Sequence, residues 1–466
     1  MTDEAEDPRR LGLAVLGLVV AGIAVRLWLA GHFYGFLSGD DLEVVEGAAK
    51  FALGLEYQPW SLRCLFHPVV LVGPVLRAVD VSGAASDPLA VAFWASLPTI
   101  LASSATIWLT FRLGPRLGLS LRESFLAAFF YAIHWLPLGY GSTQFPRPIS
   151  TMFFVLALLL ASSSRGALVS AGGLLVGAAF AVRFSEGVLA LPFLAVVWWR
   201  HRSWSALALA MSGGLVGAVL FVGVTDWLTW GRPFASLSEY FRIMSGDARP
   251  PSPRSDKPWF WYGTSILQWA GPVSVVLAAS AIAFRRAARR PLLLLTMIVL
   301  GYSLFAYKAY RYMQAAVPLL ALLMGLGAAH LLSSRSRVSR AAGWILLALA
   351  PLWGIERTRT LMHEKSRSAV DAGLWMKTLA PRRVLLEQQW AYGGSLTFGN
   401  GVEIRDQTPM RPLGLDGAEL AGVDAAAFYE RDLGDSDREV LGTAGFRPVF
   451  RVEGRPKTVV VFAGSP

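Results

Sequence analysis

A single cysteine, Cys64, stands in the 466 residues of this chain, so no internal disulfide can form and no thiolate cluster can hold a metal. Redox chemistry is set aside on that ground. Charged residues are scarce, at 16%, against 54% hydrophobic and 12% aromatic, a balance shifted from that of soluble domains towards lipid. Mean hydropathy is +0.47. Acid is the scarcer sign: 32 Asp and Glu against 43 Lys and Arg leave a formal charge of +11. In a soluble chain that excess would point to nucleic acid. Here the arginines fall in short segments between apolar runs, where they set topology, and no nucleic-acid partner is expected. Short-period repeats and low-complexity tracts are lacking too, and the one linker-like piece is Ala248–Pro258, rich in proline and charge.

What is present is a series of apolar runs. A membrane span needs roughly 20 apolar residues, and about eleven segments meet or approach this length: 11–30, 88–111, 122–141, 147–164, 167–183, 185–199, 204–225, 264–284, 291–307, 312–332 and 341–355. The first follows Arg9-Arg10 and lacks a small-x-small cleavage site, so it reads as a retained span. Segment 67–79, broken by Pro68, Gly73, Pro74 and Arg77, reads as re-entrant or interfacial. With Arg9-Arg10 cytoplasmic, the basic loops at Arg112/Arg116/Arg122, Arg165, Arg200/Arg202, Arg285–Arg290 and Arg335–Arg340 all fall on the cytoplasmic side. The opposite face receives loops 31–87 and 226–263, short turns at Arg147, Arg183 and Lys308, and everything after Ile355. The fold expected is therefore a polytopic α-helical membrane module over 1–355 with interfacial helices in its first outer loop. Residues 356–466 are expected to form a small α/β extracytoplasmic domain, with strand-like runs at Arg383–Leu386 and Thr458–Phe462.

Five places carry polar chemistry on the outer face. Asp40-Asp41 opens an amphipathic stretch over 41–53, with Glu43 and Glu46 on the same run. The simpler reading makes Asp40 an N-cap and both aspartates favourable helix-start charges; the chemical one makes one of them a general base. Trp60 and Arg63, ahead of His67-Pro68, read either as interfacial anchors or as contacts to a sugar and a phosphate. Gln144, Arg147, Arg183, Ser185 and Glu186 flank spans at the rim, where ions are costly and tend to face polar cavities; Arg183 and Glu186 fit a helical i, i+3 pair. Lys257-Pro258-Trp259-Phe260-Trp261-Tyr262 is an aromatic belt or more. Tyr307-Lys308-Ala309-Tyr310-Arg311-Tyr312 sets two cations on the face that the charge rule leaves poor in them, and an anion held there would explain it.

The order of these features resembles the mannosyltransferases that build the dolichol-linked oligosaccharide and the GPI anchor, members of the GT-C superfamily. Asp40-Asp41, Glu46, Trp60, Arg63 and Pro68 match that family's first-loop residues. Lys257 to Tyr262 follows its His-Pro-Trp-x-Trp-Tyr stretch at all but the first position, and Tyr307 to Tyr312 keeps the Lys and Arg of its His-Lys-Glu-x-Arg-Phe. Asp226 to Gly231 and Pro233 resemble the opening of its second loop. The likeness covers about Ser38 to Leu320. It departs where Asp-Glu becomes Asp-Asp and where Tyr307 and Ala309 replace His and Glu.

The resemblance implies transfer of a sugar, mannose first among candidates, from a polyprenyl-phosphate donor to a glycan or glycolipid hydroxyl at the non-cytoplasmic face of the bilayer. Asp40 or Asp41 would be the base of an inverting displacement, and Glu46, Trp60 and Arg63 would bind the acceptor. Lys308, Arg311, Trp259, Trp261 and Tyr262 would hold the donor phosphate and lipid, with Arg147, Arg183 and Tyr307 as further candidates. A phosphate leaving group already carries charge, so no metal or cofactor is expected. The basic loops lack a Gly-rich phosphate cradle, which speaks against a nucleotide-sugar donor. Two other classes compete. A flippase or transporter of a lipid-linked glycan would show internal repeats and broken midplane helices, and a glycan ligase or polymerase would lack the Trp-x-Trp-Tyr and Lys-x-x-Arg patterns.

Overall fold

A computed structural model describes residues 8–245, 257–305, 307–407, 413–454 and 457–464; most of the linker-like segment Ala248–Pro258 lies outside them. By packing the chain divides into two units, one of residues 1–27, 61–67 and 98–359, the other of 28–60, 68–97 and 360–466. This division differs from a single cut at residue 355, because two stretches from the first hundred residues pack with the C-terminal segment.

The first unit is a helical bundle. Among the described residues, five stretches, three of which continue into the second unit, are long and apolar enough to cross a membrane: Pro8–His32 (α1), Pro88–Leu117, Trp204–Trp230, Tyr310–Ser333 and Arg337–Lys377. Shorter apolar helices run over Arg147–Ala161, Gly166–Val182 and Pro272–Phe284. The expected run 122–141 is broken at His134, whose ring Nδ1 accepts from the N–H of Leu136 and starts a new short helix. Glycines set the closest helix pair. A Cβ on Gly173 would lie 2.0 Å from the Ala210 carbonyl oxygen, and one on Gly213 would lie 2.0 Å from that of Ser170. Helices Gly166–Val182 and Trp204–Ala218 thus touch backbone to backbone, the small-residue contact that replaces hydrophobic drive in lipid. Arg26, fully buried near the end of α1, is satisfied by Ser103 Oγ and the carbonyls of Gly22 and Pro137, since an unmet guanidinium there would be costly.

In the second unit, Gly39–Leu53 (α2) packs its apolar residues Leu42, Val45, Ala48 and Ala49 with Val72, Leu76, Val91 and Val370. Segment Phe66–Val81 is helical throughout. The C-terminal part is a five-stranded sheet of order β2-β1-β3-β5-β4, built from Arg383–Glu387 (β1), Glu403–Gln407 (β2), Ala425–Tyr429 (β3), Phe446–Val452 (β4) and Val459–Gly464 (β5). β1, β2 and β3 run parallel, while β5 is antiparallel to β3 and β4. Alternation along each strand fills two cores: Val384, Leu386, Ala425 and Val461 face Arg367–Lys377 (α3), and Leu385, Ala426, Phe428 and Val460 join Leu441 of Asp435–Thr443. The small α/β domain expected from the sequence is this sheet with helices on both faces.

Candidate functional site

In the second unit the polar residues gather on α2. The helix starts at Gly39 with Ser38 in the N-cap position, so Asp40 sits in the first turn and is not the cap that its sequence position suggested. Two rings close on this start: a Cβ on Gly39 would meet Trp60 at 3.3 Å and Trp390 at 3.7 Å, a tight but not forbidding fit. Asp40 and Asp41 are buried, and Asp41 Oδ2 accepts from the N–H of Leu37 at 3.0 Å. One turn on, Glu43 Oε1 accepts from the N–H of Trp60 at 2.8 Å, and the Tyr57 hydroxyl donates to its Oε2. Trp60 is thereby seated and stays 44% exposed, the posture of a stacking platform. Glu46, buried, accepts from the N–H of Leu396 in the short helix Gly394–Phe398 (α4). Burial pushes its carboxyl up to about 8, the Leu396 N–H opposes, and the charge of Glu43 adds to the rise.

The first unit holds the cations. Arg147 opens the helix Arg147–Ala161, pairs with Glu186, and donates to Ser185 Oγ at 3.0 Å. The Tyr302 hydroxyl donates to the other Glu186 oxygen at 2.6 Å. The ion pair of Glu186 is thus with Arg147, 39 residues away in sequence, while Arg183 acts on it through space. The Arg147 guanidinium lies 3.8 Å from the Tyr312 ring centre, and Arg183 and Arg311 lie 5.8 Å and 5.1 Å from that of Phe145. Arg63 joins them beside Tyr240. His67 is buried near Arg183.

The two aromatic-cationic motifs of this unit meet. Trp261 stacks on Tyr310 at 4.8 Å, the Tyr262 hydroxyl bonds the backbone of Ala309, and Lys257 lies 3.8 Å from the Trp261 ring centre. Lys308 is buried, its ammonium donating to the carbonyls of Phe305 at 2.7 Å and Lys257 at 3.2 Å. Trp259 is 64% exposed, and Tyr307 packs edge-on to Tyr312 at 6.2 Å. Asp226 Oδ2 accepts from both the N–H and the hydroxyl of Ser236, closing the 226–236 turn. Gln144 is buried one turn of chain before Arg147. Chemically, α2 offers carboxylates able to take a proton, and the arginines offer planar forks suited to a phosphate.

A model of the Alg9-like mannosyltransferase family matches residues 22–379, a range that includes α2, the arginine cluster and both aromatic motifs. The chain belongs to this family. No curated protein matches it in sequence. Among solved structures, this family member resembles ArnT from Cupriavidus metallidurans bound to undecaprenyl phosphate, at TM-score 0.61 and 14% identity over 96% of this chain and 97% of that one. It also resembles the archaeal oligosaccharyltransferase AglB from Archaeoglobus fulgidus, in complex with an inhibitory peptide and a dolichol-phosphate, at TM-score 0.53 and 13% identity over 89% and 69%. Arabinofuranosyltransferase AftD from Mycobacteria follows, at TM-score 0.56 and 15% identity over 96% of this chain and 41% of that one. The fold is GT-C, and the chain is an integral membrane protein of a glycosyltransferase family. The family match ends before β1, whereas the fold likeness to ArnT covers nearly the whole chain.

Proposed function

We propose that the chain transfers a mannosyl group from a polyprenyl-phosphate donor to a hydroxyl of a glycan or glycolipid at the non-cytoplasmic face. The observation that carries this reading is the buried pair Asp40-Asp41 in the first turn of α2, within a chain of the Alg9-like family. An acceptor hydroxyl must lose its proton as it attacks the anomeric carbon, and a carboxylate in a water-poor setting is suited to take it. One of the two aspartates is the base and the reaction inverts the anomeric centre. Glu43, through the Trp60 N–H, and Glu46, through α4, hold the acceptor-side residues, with Trp60 as the ring on which a sugar stacks.

The leaving phosphate gains charge in the transition state, and fixed cations lower that barrier. Arg311, Arg183 and Arg147 fill this role, and Arg63 lies near them. Lys308 serves the same end by fastening Lys257 to Phe305 through their carbonyls, so that Trp259, Trp261 and Tyr262 keep their places for the lipid. The leaving group carries its own charge, so the step as written calls on no metal. Mass spectrometry of glycolipids from cells with and without the gene tests the reading: loss of one hexose from a lipid-linked glycan, restored by the wild-type gene and not by Arg311→Ala, is expected. Unchanged glycolipids would sink it.

A further inference from the structure

We propose that Lys365 is a positioning residue for Asp41, holding the Phe33–Leu37 turn against α2 and keeping the Asp41 carboxylate charged. Lys365 lies past the helix Arg337–His363, far in sequence from every motif of the first outer loop, and is buried. Its ammonium donates to the carbonyl of Phe33 at 2.5 Å. The next residue clasps the same turn from both sides: the Ser366 N–H donates to the Phe36 carbonyl at 3.0 Å, and Ser366 Oγ accepts from the Phe36 N–H at 3.1 Å. Between these bonds Gly35 takes φ +96°, and a Cβ there would lie 3.0 Å from the Arg367 nitrogen, so the approach tolerates glycine only. The far end of the turn is tied to Asp41 by the Leu37 N–H. One short turn thus links Lys365 to Asp41, and their charges attract across it.

The need for such a cation follows from the crowding of acid on α2. Asp40, Asp41, Glu43 and Glu46 are all buried within two helical turns, and adjacent carboxylates out of water resist joint ionisation. A base must be charged to accept a proton. Other charged groups around the turn, among the described residues, include Asp371, which accepts from the Tyr34 hydroxyl at 2.7 Å, Arg367 over the Tyr34 ring at 4.7 Å, His363 against Phe33 at 5.3 Å, and Glu364. Arg367, His363 and Glu364 are exposed, where solvent screens them. Lys365 acts from the interior, where the same charge is felt more strongly.

The inference rests on Asp41 being a functional carboxylate, and its test is independent of transfer. Hydrophobic carbodiimides modify carboxyl groups only when protonated, so labelling of Asp41 against pH, read by peptide mass spectrometry, reports its charge in the full-length protein in detergent. Lys365→Met should move the half-labelling point of Asp41 upward by about one pH unit or more, the usual effect of losing a near opposite charge. Lys365→Arg should stay close to wild type. Asp41 no more reactive at any pH in Lys365→Met overturns the proposal, as does a fall in thermal stability of both variants with labelling unmoved, which makes Lys365 a structural staple. Asp41→Asn with full transfer activity would instead remove the general-base reading and leave the labelling result standing.

Discussion

Glu46 accepts a hydrogen bond from the backbone N–H of Leu396 at 3.2 Å, a contact across 350 residues of sequence. It sets a carboxyl of α2 at the first turn of α4, where Gly394 takes φ +46° and a Cβ would lie 2.5 Å from Glu46 Oε1. The C-terminal domain therefore reads the position of α2 directly.

The pH dependence of this contact follows from its sign. The Glu46 carboxyl titrates at about 8 against an ordinary 4.5, with burial the main cause. A raised value means that its protonated form suits the fold, so its contribution is complete below the ordinary value and is lost as pH rises through about 8. Wild-type thermal stability in detergent should fall over that window, and Glu46→Gln, which can still accept from Leu396, should flatten the fall. An identical slope in both proteins would remove Glu46 as its source. Gly394→Ala should cost stability at every pH, about 1–3 kcal/mol, through strain.

Arg147 and Glu186 make a second test, since breaking a buried pair costs more than deleting it. Arg147→Met leaves the Glu186 carboxylate buried without its guanidinium, the Tyr302 hydroxyl still donating to it, and about 3–5 kcal/mol should be lost. Arg147→Met with Glu186→Leu should recover much of this in a thermal melt. A double variant as unstable as the single would show that the pair itself, and not the stranded charge, matters.

Much of this arrangement was legible beforehand, and the reasons are local. Apolar runs marked α1 and the helices ending at Trp230 and Ser333, period and polarity marked 41–53 as a helix, and β-rich runs marked β1 and β5. The two aromatic-cationic motifs are separate in sequence, and Trp261 on Tyr310 joins them. What was not legible is tertiary. Nothing in the local pattern of Lys365 or Leu396 ties either to a helix more than 300 residues earlier, and the pairing of Glu186 with Arg147 overrode the nearer Arg183. Asp40 stands two positions inside the cap it resembles in sequence, because Ser38, with extended backbone, already fills the cap site.

His67 gives a prediction in which stability and function part. Its ring is buried near Arg183, and among the described residues neither nitrogen has a hydrogen-bond partner. Leaving such groups unmet costs about 1–3 kcal/mol, so His67→Phe should match or exceed wild-type stability. If the ring serves the donor phosphate beside Arg183, the same variant should use the donor poorly. Lower stability with normal transfer would assign His67 to packing.

The last test concerns the two aspartates at the start of α2. Asn keeps the size of Asp and much of its hydrogen bonding, but it cannot take the acceptor's proton, so the variant of the true base should lose roughly 10²–10⁴-fold in turnover. A purely structural role predicts much less. With Ser38 in the cap position, neither residue caps the helix by its side chain, and removing one negative charge from the first turn costs only about 0.3–1 kcal/mol. Asp40→Asn and Asp41→Asn should therefore be compared for transfer and for thermal melting in one detergent. The base is the residue whose variant loses transfer while melting near wild type. Asp41, tied to Leu37 and attracted by the charge of Lys365, is expected to show the larger loss, and its variant should keep the acceptor's apparent KM within a few-fold because the proton, not the binding, is what has been removed. Near-normal transfer in both single variants would take this pair out of the chemistry and leave Glu43, bonded to Tyr57 and Trp60, as the carboxylate to examine.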